Sequence, residues 1–185
     1  MYTKLLDFGI IVFGCLAFGL MLYSKDLLRD EIKGVDDTIK KPFSLARVQV
    51  ALWTIIIGCS YLYIYFCNTP CGENLLILNK TALALLGISI GTTVVAKNID
   101  TSQLNNPNRH QNGGSEGFFL DILSDENGIS VHRFQAVLFS VIAIVIYINK
   151  VCCMGVLPEF DNTLLGIITL SYSGYLGIKI NENKA

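Results

Sequence analysis

Two short stretches of the chain combine a serine, an arginine and a glutamine at the same spacing: Ser44-x-x-Arg47-x-Gln49 and Ser130-x-x-Arg133-x-Gln135. A guanidinium group binds anions, and a side-chain amide both donates and accepts hydrogen bonds. Such residues at the mouth of a pore could bind anions or set ion selectivity. The alternative is structural: the serine caps a helix, the arginine reaches the lipid headgroups and the glutamine bonds a neighbouring helix.

Small and hydroxyl-bearing residues recur at helical spacing in two later stretches: Gly87, Ser89, Gly91 and Thr92, and then Thr169, Ser171, Ser173 and Gly174. Small residues about four positions apart let membrane helices approach closely. The alternative is a mildly polar pore lining. The two interpretations are compatible, because they concern different faces of the same helix.

Four cysteines lie beside two predicted turns: Cys67, Cys71, Cys152 and Cys153. If both turns face an oxidising compartment, one cysteine of the first pair could form a disulfide with one of the second pair. The alternative is four free thiols near the membrane surface. No histidine lies near either turn, so the sequence does not predict a zinc site.

The sequence lacks the motifs that a membrane enzyme would need. It has no Gly-x-Ser-x-Gly elbow and no Gly-Lys-Ser/Thr phosphate loop. His110 and His132 are its two histidines, and neither has other metal-ligand residue types beside it. A formal net charge of -1 gives no signal for nucleic-acid binding. We therefore predict no enzymatic activity, no cofactor and no direct binding of nucleic acid.

The hydrophobic residues are gathered in long blocks that must position these side chains. The chain has 185 residues, of which 52% are hydrophobic, and a mean hydropathy of +0.51. A bilayer span needs about 20 apolar residues, and its backbone must be helical. The predicted fold is an all-α polytopic membrane bundle of about five spans: 5–23, 45–66, about 75–96, 131–148 and about 158–180. No charged residue lies near the middle of a span, which argues against a pump or a secondary transporter.

The later spans predict an internal repeat. Two helical hairpins align, and their second helices pair Thr81, Leu83, Ser89 and Lys97 with Thr163, Leu165, Ser171 and Lys179. Both hairpins would point the same way, related by a twofold axis along the membrane normal. This arrangement differs from the inverted repeat of many transporters.

The predicted organisation has five segments: an anchor helix (1–24), an amphipathic linker (25–43), a first hairpin (44–97), a loop (98–129) and a second hairpin (130–181). The first apolar run has about 19 residues and no cleavage pattern, so it is interpreted as a retained anchor rather than a signal peptide. Within the loop, residues 105–114 are rich in turn formers and are expected to be flexible. Residues 117–128 predict a short interfacial helix that ends at Gly128.

Lysine and arginine are concentrated between the first and second spans. Since such residues favour the cytoplasmic side, the N-terminus is predicted outside and the C-terminus in the cytoplasm of a bacterial inner membrane. The 24–43 and 98–129 segments would then be available to a cytosolic protein partner.

The motif that opens residues 44–49, followed by Leu85-Leu-Gly-Ile-Ser-Ile-Gly-Thr92, resembles a loose group of small, uncharacterised bacterial multi-span membrane proteins. The resemblance covers roughly residues 43–181, although the second hairpin departs from it at Ile168-Thr-Leu-Ser-Tyr-Ser-Gly174. In architecture the chain is similar to membrane components of bacterial antiphage systems, which form oligomers beside a cytosolic partner. This resemblance implies no active site.

The sequence thus predicts a symmetric homo-oligomer, because so short a bundle with small-residue faces needs further packing partners. The first functional hypothesis is a channel or pore-like assembly in a bacterial defence or stress response, gated by a cytosolic partner, with the four Arg and Gln residues at its inner mouth. The alternative hypothesis is a non-conducting scaffold that recruits a cytosolic effector.

Overall fold

The computed structural model describes residues 2–24, 26–32, 39–68 and 78–183. These residues form six α-helices: α1 (Tyr2–Tyr23), α2 (Leu45–Asn68), α3 (Lys80–Gln103), α4 (Phe118–Leu123), α5 (Val131–Met154) and α6 (Asn162–Lys179). A 3₁₀ helix (His110–Gly113) and a short antiparallel hairpin of β1 (Ser124–Asp125) and β2 (Gly128–Ile129) lie between α3 and α5. The protein is mostly helical, as predicted.

Three segments of these helices are long and apolar enough to cross a membrane: Leu45–Tyr65, Lys80–Gln103 and Val131–Met154. A helix of 24 residues is about 36 Å long, which exceeds the roughly 30 Å of a hydrocarbon core. Their outward faces carry exposed apolar side chains such as Leu83, Val94 and Val145. Burial of these side chains in lipid rather than in water would lower their free energy.

The four long helices that follow α1 form a bundle. Around its circumference the order is α2, α3, α6 and α5, and α1 packs on the outside of α2. Gln49 near the start of α2 contacts Ser140 in the first half of α5. Thr81 at the start of α3 accepts a hydrogen bond from the backbone of Phe160, just before α6. The two hairpins therefore run parallel, as the predicted repeat requires, and the repeat itself stays a prediction.

Aromatic side chains fill the middle of this bundle. Trp53 and Tyr147 meet edge to face with ring centroids 6.0 Å apart, and Tyr147 meets Phe160 in the same way. Tyr172 of α6 is almost completely buried beside Trp53, whereas the equally buried Tyr175 lies nearer the end of the helix, against Arg133. Close packing of large rings leaves the interior of a single bundle filled by side chains.

Polar caps set the first residues of α3 and α6. The side chain of Asn79 accepts a hydrogen bond from the backbone N–H of Ala82 at 2.9 Å, and Asp161 does the same for Leu164. Each cap satisfies a backbone donor that has no partner within the helix. The helices consequently begin at Lys80 and Asn162, later than the predicted spans. α3 also continues seven residues beyond the predicted end at Ala96.

One expectation for the loop before α5 is wrong. The segment 105–114 contains the buried side chains of Arg109 and Gln111, and its expected flexibility stays a prediction. The predicted helix up to Gly128 ends at Leu123, because the chain then turns back as a β-hairpin with Gly128 at φ 104°. Since glycine adopts that conformation with little strain, Gly128 opens strand β2 of this hairpin rather than ending a helix.

Candidate functional site: the charged end of the bundle

One end of the bundle, here called the charged end, is where α2 and α5 begin and α3 and α6 end. Three segments cover it and are together called the cap: the linker (26–32 and 39–44), the loop (104–130) and the tail (180–183). Six buried charged residues lie at this junction: Asp30, Asp100, Arg109, Arg133, Lys179 and Glu182. Three carry positive and three carry negative charge, so the buried cluster is formally neutral.

Lys179, the last residue of α6, lies at the centre of this cluster. Its Nζ is 2.9 Å from Oδ2 of Asp100 and 3.8 Å from Oδ2 of Asp30. The side chain is 1% exposed, so water contributes little to its solvation. A lysine this deeply buried needs carboxylate partners, because an isolated ammonium in a protein interior is strongly destabilised.

Arg109 joins the loop to the same cluster. Its Nη2 donates to Oδ1 of Asp100 at 2.6 Å, and its Nη1 donates to the backbone oxygen of Glu31. Asp100 therefore binds a cation from α6 and another from the loop at the same time. The arginine in turn links the loop to the linker, so one side chain connects two segments of the cap.

Asp30 supplies the charge of the linker to this cluster. Burial opposes its ionisation, but Lys179 foremost, then a hydrogen bond with the Ser44 side chain, and then Arg109 and Arg133 act in the opposite direction. The net result is that the pKa of Asp30 lies below its ordinary value of 3.8. Asp30 is therefore an anion at neutral pH, and it stabilises the cations around it.

Arg133 and Gln49 of the repeated motif are both enclosed within the bundle. Arg133 forms an ion pair with Glu182 of the tail, and its guanidinium lies 5.4 Å from the centre of the Tyr175 ring. The structural interpretation that it reaches lipid headgroups is wrong, because the tail folds back over it. Gln49 donates to Oγ of Ser140 at 3.1 Å and to the backbone oxygen of Ala136, as expected of a glutamine that bonds a neighbouring helix.

Their counterparts Arg47 and Gln135 lie nearer the surface. Arg47 is partly exposed, donates to the backbone oxygen of Asp26 and lies 3.5 Å from the Glu31 carboxylate. Gln135 is exposed on α5. The two motifs thus do not form one ring within a protomer. A vestibule formed by several copies, lined by Arg47, Gln49, Arg133 and Gln135, stays a prediction.

The serines of the two motifs also differ from each other. Ser130 occupies the N-cap position of α5, but its side chain makes no capping hydrogen bond. Ser44 is buried, and its side chain bonds Asp30. The expected side-chain cap is therefore wrong for Ser130, while Ser44 connects α2 to the buried charge cluster.

The small residues of α3 and α6 divide between two faces. Ser89, Thr92 and Ser171 are buried within the bundle, and their hydroxyls bond backbone oxygens of the same helix. The others that were expected at a packing or pore-lining face lie exposed or half-buried: Gly87, Gly91, Thr169, Ser173 and Gly174. A Cβ added at Gly87 or Gly91 would meet no neighbouring atom, so these glycines serve no close contact within a protomer.

The predicted disulfide concerns the opposite end of the bundle. Cys152 and Cys153 are exposed at the end of α5. Cys71 and the side chain of Cys67 lie outside the described residues, so the pairing stays a prediction.

Among its described residues, the charged end has no group of three or more histidine, cysteine, aspartate or glutamate side chains that could hold a metal ion. A cavity of about 110 Å³ lies beside Asp30 and Arg133, bounded by His110 and Asp121 of the loop. Sequence analysis missed the role of Lys179, although the alignment matched it with Lys97. The sequence offered one signal for this role: Lys97 and Lys179 are single charged residues at the ends of predicted spans.

Comparison of the chain with known protein families, with curated proteins and with solved structures finds no match.

Proposed function

We propose that the protein is a five-span membrane adaptor: the bundle anchors the cap at the membrane surface, and the cap binds a soluble protein. α1 with 22 residues and α6 with 18 would supply the two spans beyond the three apolar segments. At 1.5 Å per residue, α6 is about 27 Å long, close to the thickness of a hydrocarbon core. The proposed setting is a bacterial inner membrane, with the cap in the cytoplasm and a role in a defence or stress response.

The observation that supports an adaptor most directly is how the cap is attached. Linker, loop and tail come from distant parts of the sequence, yet each contributes a buried charge to the same cluster through Asp30, Arg109 and Glu182. Removing one partner of a buried ion pair typically costs about 3–5 kcal/mol, so the three segments are expected to stay in one arrangement. A fixed surface suits specific binding, because little conformational entropy is lost when a partner docks.

The cap also leaves large apolar side chains exposed. Phe119 of α4 is 72% exposed and Ile129 of β2 is 68% exposed, although their neighbours Phe118 and Ile122 pack inward. Exposed aromatic and aliphatic side chains are typical of protein-binding surfaces. The buried rings of Trp53, Tyr147 and Tyr172 in the middle of the bundle favour a non-conducting protomer as well.

The adaptor proposal is tested by quantitative pull-down of soluble protein with the full-length chain in detergent. The Phe119→Ser plus Ile129→Ser variant should lose a partner that the wild type retains. Val156→Ser is the matched control, because Val156 is 53% exposed but lies at the opposite end of the bundle. Equal retention by the cap variant and the control would contradict the proposal, and so would ion conduction by the wild type in planar bilayers.

A second candidate is a channel formed between copies of the chain. The observation that favours it is the outward row of small residues on α3 and α6. Gly87, Gly91, Thr169 and Ser173 are all exposed, and a Cβ added at Gly87 or Gly91 would meet no neighbouring atom. In a homo-oligomer this row would permit close approach of helices or give a mildly polar lining. Planar-bilayer recording is the test, with Arg47→Ala plus Gln135→Ala, which spares the buried Arg133 and Gln49. Unchanged conductance and selectivity would exclude these side chains from the mouth.

A further inference from the structure

An open groove of about 400 Å³ lies where α1, α2 and α3 meet beside the charged end. Its volume falls within the range of about 300–1,000 Å³ that small-molecule sites occupy. The groove is separate from the buried charge cluster. The adaptor proposal makes no use of it, and the channel candidate uses one of its residues, Arg47.

The walls of the groove are two rows of side chains at helical spacing. Arg47, Val50 and Thr54 lie on one face of α2, and Thr93 and Lys97 lie four residues apart on α3. The α2 row extends about 10 Å along the helix axis. Both threonine hydroxyls donate to backbone oxygens, Thr54 to that of Val50 and Thr93 to that of Ala46. Their hydroxyl hydrogens are therefore not available to a ligand in the groove.

The α1 side of the groove is apolar. Met21 of α1 lines it, and Ala51 of α2 lies on the same face as the arginine. This part of the groove is therefore apolar, runs along the membrane-spanning part of α2 and is open at its side. Such a shape fits a hydrocarbon chain better than a polar ligand.

Charged side chains are confined to one end of the groove. Arg47 Nη2 lies 3.5 Å and Lys97 Nζ 3.9 Å from the same Oε1 of Glu31. Two cations thus share one carboxylate, which leaves a formal charge of +1. Both distances are at the loose end for ion pairs, and the side chains are partly exposed, so another anion can reach them.

We propose that this groove binds one membrane phospholipid with an anionic headgroup. Its phosphate would lie between Arg47 and Lys97, and an acyl chain would follow the α2 row beside Met21. Basic side chains next to an apolar groove between helices are suited to anionic lipid headgroups. The net charge of the site matches a headgroup of charge -1, whereas a zwitterionic headgroup offers no net charge. This site does not depend on whether the protein acts as an adaptor or as a channel.

Native mass spectrometry of the full-length protein in detergent, with added phosphatidylglycerol or phosphatidylcholine, tests the proposal. The wild type should retain one phosphatidylglycerol and prefer it over phosphatidylcholine. Arg47→Gln plus Lys97→Gln should weaken binding about 30-fold, since each basic contact with an anionic lipid contributes about five-fold. Lys150→Gln, which removes a lysine at the opposite end of the bundle, should bind as the wild type does.

A variant that gains affinity excludes misfolding as the explanation. Glu31→Gln removes the competing carboxylate from a half-exposed side chain, and it should bind phosphatidylglycerol about five-fold more tightly. Equal retention of the two lipids by the wild type would overturn the proposal. Unchanged binding in the Arg47 and Lys97 double variant, or unchanged or weaker binding in Glu31→Gln, would also overturn it.

Discussion

The ammonium group of Lys179 at the end of α6 lies 2.9 Å from the carboxylate of Asp100 near the end of α3. This contact joins the second helices of the two hairpins where the cap covers them. The aligned lysine of the first hairpin, Lys97, instead lies on the surface beside Glu31. Two lysines at matched sequence positions thus have different surroundings, which provides an internal control for the energetics of the buried cluster.

Lys179→Met should destabilise the protein by about 3–5 kcal/mol, because it leaves Asp30 and Asp100 buried with fewer cations. Lys97→Met should cost less than about 1 kcal/mol, as expected of an exposed and loosely spaced pair. The measurement is the free energy of unfolding in mixed micelles for both variants. Similar losses in the two variants would contradict the central position given to Lys179.

The two glutamines of the repeated motif offer a second matched pair. Gln49→Ala should lower the free energy of unfolding by about 2 kcal/mol, since it removes a hydrogen bond to Ser140 and leaves a cavity in the core. Gln135→Ala should change it by less than about 0.5 kcal/mol, because that side chain is exposed. The same unfolding assay compares them, and a reversed order would mean that α5 turns its Gln135 face inward.

The sequence was sufficient to predict the helical class and the approximate positions of the long helices, because long apolar runs are a local signal. One of the two interpretations of the repeated motif, that the glutamine bonds a neighbouring helix, is confirmed for Gln49. The serine, arginine and glutamine spacing could not distinguish Arg133 from Arg47. Their difference depends on which charged segments fold over each helix start, and this is a long-range property.

The buried cluster could not be predicted for the same reason. Asp30, Arg109 and Glu182 lie in segments that look polar and exposed when each is considered alone. Only tertiary folding brings them together, and their mutual neutralisation then permits burial. The polar residues of the loop were therefore expected to be exposed and flexible, although Arg109 is buried and pairs with Asp100.

A fluorescence prediction follows from the single tryptophan of the chain. Trp53 Nε1 donates to the hydroxyl of Tyr172 at 3.2 Å. Tyr172→Phe removes this acceptor, so the emission maximum should shift to shorter wavelength and the free energy of unfolding should fall by about 1–2 kcal/mol. Tyr175→Phe is the control, because the hydroxyl of Tyr175 is buried without a hydrogen-bond partner and is not bonded to the indole. An emission shift of equal size in both variants would argue against this hydrogen bond.

The pKa of Asp30 predicts a pH dependence of stability. Because this pKa is lower in the folded protein than its ordinary value of 3.8, the ionised carboxylate stabilises the fold above about pH 4. The contribution is lost as the pH falls through the folded-state pKa. Asp30→Asn should therefore be less stable than the wild type at pH 7, and the difference should narrow below pH 4. Unfolding midpoints of both proteins measured from pH 7 to pH 2.5 check this. If the wild type and Asp30→Asn differed by the same amount over that whole range, ionisation of Asp30 would not be the source of the pH dependence.

The proposed orientation can be tested with the exposed thiols of Cys152 and Cys153, which lie at the end opposite the cap. If the cap is cytoplasmic, a membrane-impermeant maleimide should label these two cysteines in intact spheroplasts. In a variant whose other four cysteines are replaced by serine, this labelling should persist. In a second variant that carries Phe119→Cys as its only cysteine, labelling should require permeabilised cells, because Phe119 is exposed on the cap. The reverse pattern would place the cap outside and would remove the basis for a cytosolic partner.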